Sequence, residues 1–495
     1  MEADPLARGD GRRGAEAAPV LAPAVAAELR RRGVAHRMVA RGWGVSVEGL
    51  VRAGRIPAGR AARAVLLGSR QGPVIALLPW DHLVDFRVLE AELGGAVAPL
   101  PPRAVRHLFP DCDAGCIPPV GRPYGLPTVV EPALLERREV VLEGGRRHAL
   151  FAIRGRDLWR LAAKGRALRF TCAPERLALV VAAEVETAAG GGAALRALCP
   201  RRDPGALEGL PERLPAPDAF AARLLELPAV RADRAAALAD VVGADPVLAV
   251  QLVRWARLPL RPAAGPVRSL REAVGRVLGF GLAFELARAM RILRVFRGPR
   301  LGGLGREAVV RGAVYTAALC EALAPLVPPK ARPARGAAVA AGLLHKAGVL
   351  AWGELLRPEY LLMERVLELR PDLALPVVER RVLSATLGAG WTRLAHAPLG
   401  AALAERWGLS PEATRAVREH HNELCRGADA GAANLVLAAA HALRQAGIGH
   451  ATPSRDPPRE VLAALGLGWP QVLAQTRRVL AAAAALDRIA RALAA

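Results

Sequence analysis

Lysine is almost missing from this chain. Lys164, Lys330 and Lys346 are its only three, so the 69 basic residues behind a net charge of +23 are nearly all arginine. The arginines are spread over the whole length in a background of Ala, Leu, Gly and Pro and form no single stripe. That distribution reads as compositional drift rather than a dedicated nucleic-acid face. Paired cysteines are missing too. Of six, Cys172, Cys199, Cys320 and Cys425 stand alone and only Cys112 and Cys116 lie close together, which excludes a disulfide framework or a zinc ribbon. Four-residue spacing with no companion Cys or His pair makes those two structural thiols. About half the residues are apolar, yet no run reaches the ~18 uncharged residues of a membrane span. Met1 to Gly14 alternates acids with arginines and lacks the basic-then-apolar order of an export signal. These absences predict a soluble cytoplasmic protein with no membrane partner.

At 495 residues the chain has room for two or three domains. Residues 1–18 are small and polar and read as a disordered leader. Ala24 to Arg32 reads as a helix. Ala64 to Leu67 and Val74 to Leu78 are apolar runs flanking Gly68 to Gly72, the pattern of a hairpin. Helical spacing returns at Asp85 to Leu93. Strand-like segments follow at Thr128 to Val130, Val140 to Leu142 and Ala149 to Ile153, with Asp157 as a cap for a short helix. The first ~170 residues are therefore expected to be α+β. Residues 198–217 hold Pro200, Pro204, Pro211, Pro215 and Pro217 among charges, the composition of a linker. Beyond them nearly every segment reads as helix. Asp245-Pro246 is a cap with proline at the first helical position, Ser269 with Glu272 makes a capping box, and Ser410-Pro411 opens another helix. Val472 to Ala495 is Ala-rich and helical and carries no chemistry.

From about Leu210 the text resembles the HDOD family of output domains, relatives of the HD phosphohydrolases. The resemblance rests on Asp245-Pro246-Val247-Leu248, Leu252-Val253-Arg254-Trp255-Ala256, Leu278-Gly279-Phe280, Ala341-Gly342-Leu343-Leu344-His345, His396-Ala397-Pro398, Trp407-Gly408-Leu409-Ser410-Pro411-Glu412 and Glu419-His420-His421. An HD hydrolase needs a His from one helix, an adjacent His-Asp pair from a second and an Asp further on, because metals that activate water demand converging nitrogen and carboxylate donors. Here the pair is His345-Lys346, and lysine is a cationic donor that cannot replace a carboxylate. The upstream helix reads Val310-Arg311-Gly312-Ala313-Val314-Tyr315, without histidine. The expectation is no metal and no cofactor, with His345, Lys346, His396, His420 and His421 as vestiges of the site. The resemblance implies a signalling module that acts through protein partners.

Residues from about Pro19 to Ala173 resemble the YbaK and prolyl-tRNA-synthetase-associated fold, whose members hydrolyse mischarged aminoacyl-tRNA. The matching text is Ala76-Leu77-Leu78-Pro79 with Asp81-His82, Leu108-Phe109-Pro110-Asp111-Cys112, Gly115-Cys116-Ile117-Pro118-Pro119, Pro123-Tyr124-Gly125-Leu126-Pro127, and Glu143-Gly144-Gly145 with His148. The resemblance implies a small α/β barrel-like domain with one cleft, in which backbone donors of the Gly115 to Pro119 loop steady the oxyanion. Asp81, His82, Gly144, Gly145 and His148 would bind ligand. Family members place a lysine on the strand that here reads Ala61-Ala62-Arg63-Ala64-Val65-Leu66, and Arg63 is the positional substitute. Arginine keeps the charge but cannot act as a base.

The expected architecture is thus multidomain: the leader (1–18), a YbaK-like α/β domain with a mixed barrel-like sheet (19–173), a Pro-rich linker (198–217), an all-α HDOD domain (210–430) and a helical extension (431–495). The preferred function is a non-enzymatic bacterial signalling protein. Its partners would be signalling proteins at the HDOD domain and tRNA or an aminoacyl ligand at the first domain. The alternatives are a trans-editing deacylase using Arg63 with Gly115 and Pro119, and a metal-dependent HD phosphohydrolase.

Overall fold

The computed structural model describes residues 20–39, 47–113, 116–146, 149–186, 192–202, 207–227, 234–260, 265–427, 429–449 and 456–495. They form two compact units that divide between Arg201 and Arg202, inside the proline-rich stretch. The later part of that stretch packs on the second unit: Leu210 and Leu214 are buried, and Trp407 Nε1 donates to the Pro215 carbonyl at 2.8 Å.

The first unit is α/β. Its strands are β1 (Arg37–Val39), β2 (Ala62–Ser69), β3 (Gly72–Pro79), β4 (Leu83–Val84), β5 (Ala98–Pro99), β6 (Pro127–Val130), β7 (Val140–Glu143), β8 (Leu150–Ile153), β9 (Ala163–Ala167) and β10 (Thr171–Cys172). Five of them form a mixed sheet in the order β5-β2-β3-β6-β9. A three-stranded sheet β1-β8-β7 and the pair β10-β4 complete the unit. The expected hairpin is present as β2–β3, in antiparallel register from Ala62 opposite Pro79 to Ser69 opposite Gly72. β6 lies parallel to β3 and β9 parallel to β6. Alternation along β2 divides its side chains between two cores. Ala62, Ala64 and Leu66 face Val120, Phe109 and Cys112, whereas Val65 and Leu67 face Phe86, Leu89 and Phe170.

The second unit is all-α. Its helices start where the local chemistry predicts: Asp245 accepts from Leu248 N at 3.1 Å and Ser410 from Ala413 N at 3.3 Å. At the third expected cap, Ser269 Oγ accepts from Glu272 N at 3.1 Å, but the Glu272 carboxylate turns to Arg268 N rather than to Ser269 N. Half of the capping box therefore forms. The helix Arg306–Leu323 runs through the core. It is long and apolar enough, with the turn to Leu326, to pass as a membrane span by composition, yet 78% of its apolar window is buried inside the fold. It packs on helix Arg335–Leu344 so closely that a Cβ on Gly342 would lie 2.6 Å from Ala317 Cα. The chain then breaks at His345-Lys346 and restarts as helix Ala347–Leu355. This second helix packs equally tightly, since a Cβ on Gly348 would lie 2.0 Å from the His396 carbonyl oxygen. The two glycine contacts pin the His345-Lys346 corner from both sides.

Candidate functional site

Around that corner the structure gathers residues from three helices. His345 ends one helix, His396 opens helix His396–Arg406, and His420 and His421 follow helix Pro411–Glu419. His345 and His420 lie with ring centres 5.2 Å apart, and His396 and His420 likewise 5.2 Å apart. The Nε2 atoms of His420 and His421 approach that of His396 at 3.3 and 3.0 Å. The outer nitrogens of His396 and His420 are fixed. His420 Nδ1 faces the Val417 carbonyl at 2.7 Å, and a carbonyl can only accept, so this nitrogen carries the proton. His396 Nδ1 lies 2.7 Å from Glu379 Oε2, and Glu379 Oε1 also accepts from His396 N. Burial holds His345 and His420 far below the usual histidine range, so both rings are neutral. The bare Nε2 lone pairs of His396 and His420 thus converge, with outer partners of the kind that orient metal-binding imidazoles. His396, His420 and His421 could hold one metal ion, their ligand atoms all lying within 4.8 Å of one another.

Among the described residues the donor set stops there. On the other side of His345 lies a cavity of about 260 Å³ whose charged lining residues are Arg311, Lys346 and Arg444, with no carboxylate among the described residues that line it. Arg311 is neutralised by Asp487 at 2.8 Å. Burial, with the Arg444 charge nearby, pushes the Lys346 ammonium down to about 7, and burial pushes Arg444 down to about 10. A second divalent ion in this space would face cations where a bridging carboxylate is needed.

The first unit holds two separate groups. β3 leads into Asp81 and His82. Arg63 Nη2 donates to the His82 carbonyl at 2.6 Å. His82 Nδ1 lies 2.8 Å from Thr171 Oγ1, whose hydroxyl donates to Glu131 Oε2 at 2.9 Å. Since that hydroxyl proton is committed to the carboxylate, Thr171 accepts from His82 Nδ1–H, and His82 Nε2 keeps its lone pair. Burial lowers the His82 pKa, which favours this neutral tautomer. Asp81 Oδ1 is 4.0 Å from Nε2. The result is a relay in which a carboxylate, a hydroxyl and an imidazole are linked in series.

The second group is built on the other face of β2. Asp111 accepts from Ala24 N at 2.9 Å and from Tyr124 OH at 2.9 Å, and Asp113 N donates to the Gly145 carbonyl at 2.8 Å. Burial pushes the Cys112 thiol up to about 11, so it is inert. Gly145 has φ +77° and a Cβ there would lie 2.7 Å from Cys112 Sγ, while one on Gly144 would lie 2.4 Å from Leu21. Pro119 is buried. Gly115 and His148 lie outside the described residues. The structure therefore joins Arg63 to His82 and its neighbour Asp81, on the opposite face of β2 from the group that holds Gly144 and Gly145. Thr171, Glu131, Glu379 and Arg444 carried no local signal in the sequence, since each acts through residues far away in the chain.

The first unit also has a surface recess of about 560 Å³ lined by Arg31, Arg32, Arg122, Arg160 and Lys164. Trp159, 44% exposed, stands on its rim.

Comparison with known proteins agrees with this division. The family model of the aminoacyl-tRNA editing domain matches residues 43–161, and that of the HDOD domain matches residues 214–423. No curated protein matches the chain. Among solved structures, a provisionally named signal transduction protein from Marinobacter aquaeolei VT8 is 26% identical, covering 95% of this chain and 99% of its own, with a TM-score of 0.47. An HDOD domain protein of unknown function from Geobacter sulfurreducens is 21% identical over 58% of this chain and 99% of its own, TM-score 0.45. A provisionally named trans-editing enzyme for prolyl tRNA synthetase is 21% identical over 31% of this chain and 100% of its own, TM-score 0.28. The chain therefore carries an aminoacyl-tRNA editing, YbaK-like domain at residues 43–161, within the α/β unit, and an HDOD domain at residues 214–423, within the helical unit.

Proposed function

We propose that this protein is a non-hydrolytic regulatory protein, in which the HDOD domain serves as a binding and output module and the editing-type domain binds a ligand. The observation that carries the reading is Lys346, set with Arg444 in a cavity without a lining carboxylate, next to histidines that can satisfy one ion. A hydrolytic pair of metals needs anionic donors there. The partners proposed for the second unit are signalling proteins. For the first unit, the five cations beside an exposed tryptophan suit a phosphate-bearing ligand with a stackable ring, and tRNA is the proposed example. Manganese-supplemented assays of the full chain on cyclic dinucleotides and aryl phosphodiesters test the reading. Background rates are expected, and metal-dependent turnover would overturn it.

One observation favours a second reading, an aminoacyl-tRNA deacylase. The Glu131–Thr171–His82 relay leaves His82 Nε2 as a free acceptor, 4.0 Å from Asp81, in the posture of a general base. Deacylation of a panel of mischarged tRNAs that is lost on both His82→Ala and Arg63→Ala would establish it. No turnover across the panel would remove it.

A further inference from the structure

We infer that the cavity beside His345 is a receptor for a small phosphate dianion, with Lys346 and Arg444 supplying its two charges. The inference rests on the second unit being a binding rather than a hydrolytic module.

A cation inside a fold normally has a carboxylate or a ring of carbonyls around it, because an unpaired buried charge costs several kcal/mol. Lys346 and Arg444 have neither among the described residues. No side-chain hydrogen bond or ion pair links either one to any described residue, and the Arg444 Nε is fully buried without a partner. The neighbouring cation behaves in the ordinary way: Arg311 is held by Asp487 and lies over the Tyr315 ring. Two cations that line the same cavity without a partner among the described residues are the signature of a missing anionic partner.

Charge and size narrow the partner. His345 lines the cavity but is neutral, and Thr316 adds only a hydroxyl that donates to the Gly312 carbonyl at 2.9 Å. With Arg311 already balanced, the cations left to meet an anion are Lys346 and Arg444, and a bound dianion would hold the Lys346 ammonium protonated and match both charges. Arginine beside lysine also suits phosphate: the guanidinium offers a planar fork to two oxygens and the ammonium a compact point charge. The volume of about 260 Å³ is below the ~300–1,000 Å³ of drug-sized pockets. It takes inorganic phosphate or the phosphoryl end of a small monoester. The same lysine that removes a metal-binding carboxylate from this corner thus provides a charge for the anion.

Equilibrium dialysis of the full chain against radiolabelled inorganic phosphate, in chloride buffer, tests the inference. Phosphate has no ester to hydrolyse, so the result stands whether or not the unit turns over phosphoesters. One saturable phosphate per chain is expected, displaced by sulfate and not by acetate. Lys346→Met and Arg444→Met should each weaken it about tenfold or more, the loss of one charge-assisted contact. Arg311→Met, which removes a cation already paired, should change it less than about threefold. Thermal melts of each variant separate loss of binding from loss of fold. No saturable uptake below about 10 mM, an affinity too weak for a built site, would overturn the inference. So would uptake that survives both substitutions, which would place it elsewhere, as in the recess around Arg122 and Lys164.

Discussion

Replacing Lys346 with methionine, a side chain of similar length without charge, should make the second unit more stable at neutral pH. In the folded chain burial brings the Lys346 ammonium down to about 7, whereas in the unfolded chain a lysine titrates near ~10.4. Between these values the unfolded state binds one more proton than the folded state, so stability rises with pH through that window. The slope from this one group is at most about 1.4 kcal/mol per pH unit. Over the full window the ceiling is about 4–5 kcal/mol. Because the lysine borders a cavity and is only partly buried, about 2 kcal/mol is a realistic gain for Lys346→Met at pH 7. Urea melts in phosphate-free buffer can follow the near-ultraviolet dichroism of Trp255, Trp352 and Trp407, which are all fully buried in this unit. The wild type should gain stability from about pH 7 to 10, and the variant should start higher and lose that part of the slope. A variant that is less stable at pH 7, or a wild type that is flat across the window, would refute the argument that Lys346 carries an uncompensated charge.

Other outcomes follow from contacts described above. Gly348→Ala gains about 1 kcal/mol of helix propensity, but its Cβ would meet the His396 carbonyl oxygen at 2.0 Å. Overpacking costs of about 1–3 kcal/mol or more should leave a net loss near 2 kcal/mol, and an unchanged melting temperature would contradict the close approach. Thr171→Val removes the link between His82 and Glu131. It should cost about 1 kcal/mol and shift His82 away from the Nδ1–H tautomer in nitrogen NMR spectra; an unaltered tautomer would refute the relay. Zinc titration monitored by elemental analysis should give no more than one ion per chain, lost on His396→Ala. Uptake of two ions would defeat the argument that Lys346 excludes a second.

Local chemistry explains which parts of this architecture could be read before the fold was known. The hairpin, the Asp245 and Ser410 caps and the helical second half are written in neighbouring residues, through period, turn and cap. The Arg63 environment is a different matter. A β-strand sends successive side chains to opposite faces, so Arg63 and Ala64 belong to different sites although they are adjacent. No reading of a single strand decides which face opens on the cleft. The pairing of Lys346 with Arg444 is illegible for another reason: Arg444 sits at the end of helix Ala430–Gln445, where a basic residue is ordinary. Glu379 looks like any helix-surface acid until helix Leu375–Leu387 is placed against His396. The histidines themselves were legible as a set, but their convergence depends on two helix contacts set by Gly342 and Gly348.

Those two contacts have a consequence for anyone wishing to re-engineer the corner they flank. Main chain rests on a glycine on either side of His345-Lys346, so the backbone there has no slack with which to follow a new side chain. Position 346 is in effect a fixed mount. A series carrying Asp, Asn, Met, Lys or Arg at that position would vary charge, hydrogen bonding and reach against a constant frame. Differences in selectivity across such a series could then be assigned to the mounted group itself.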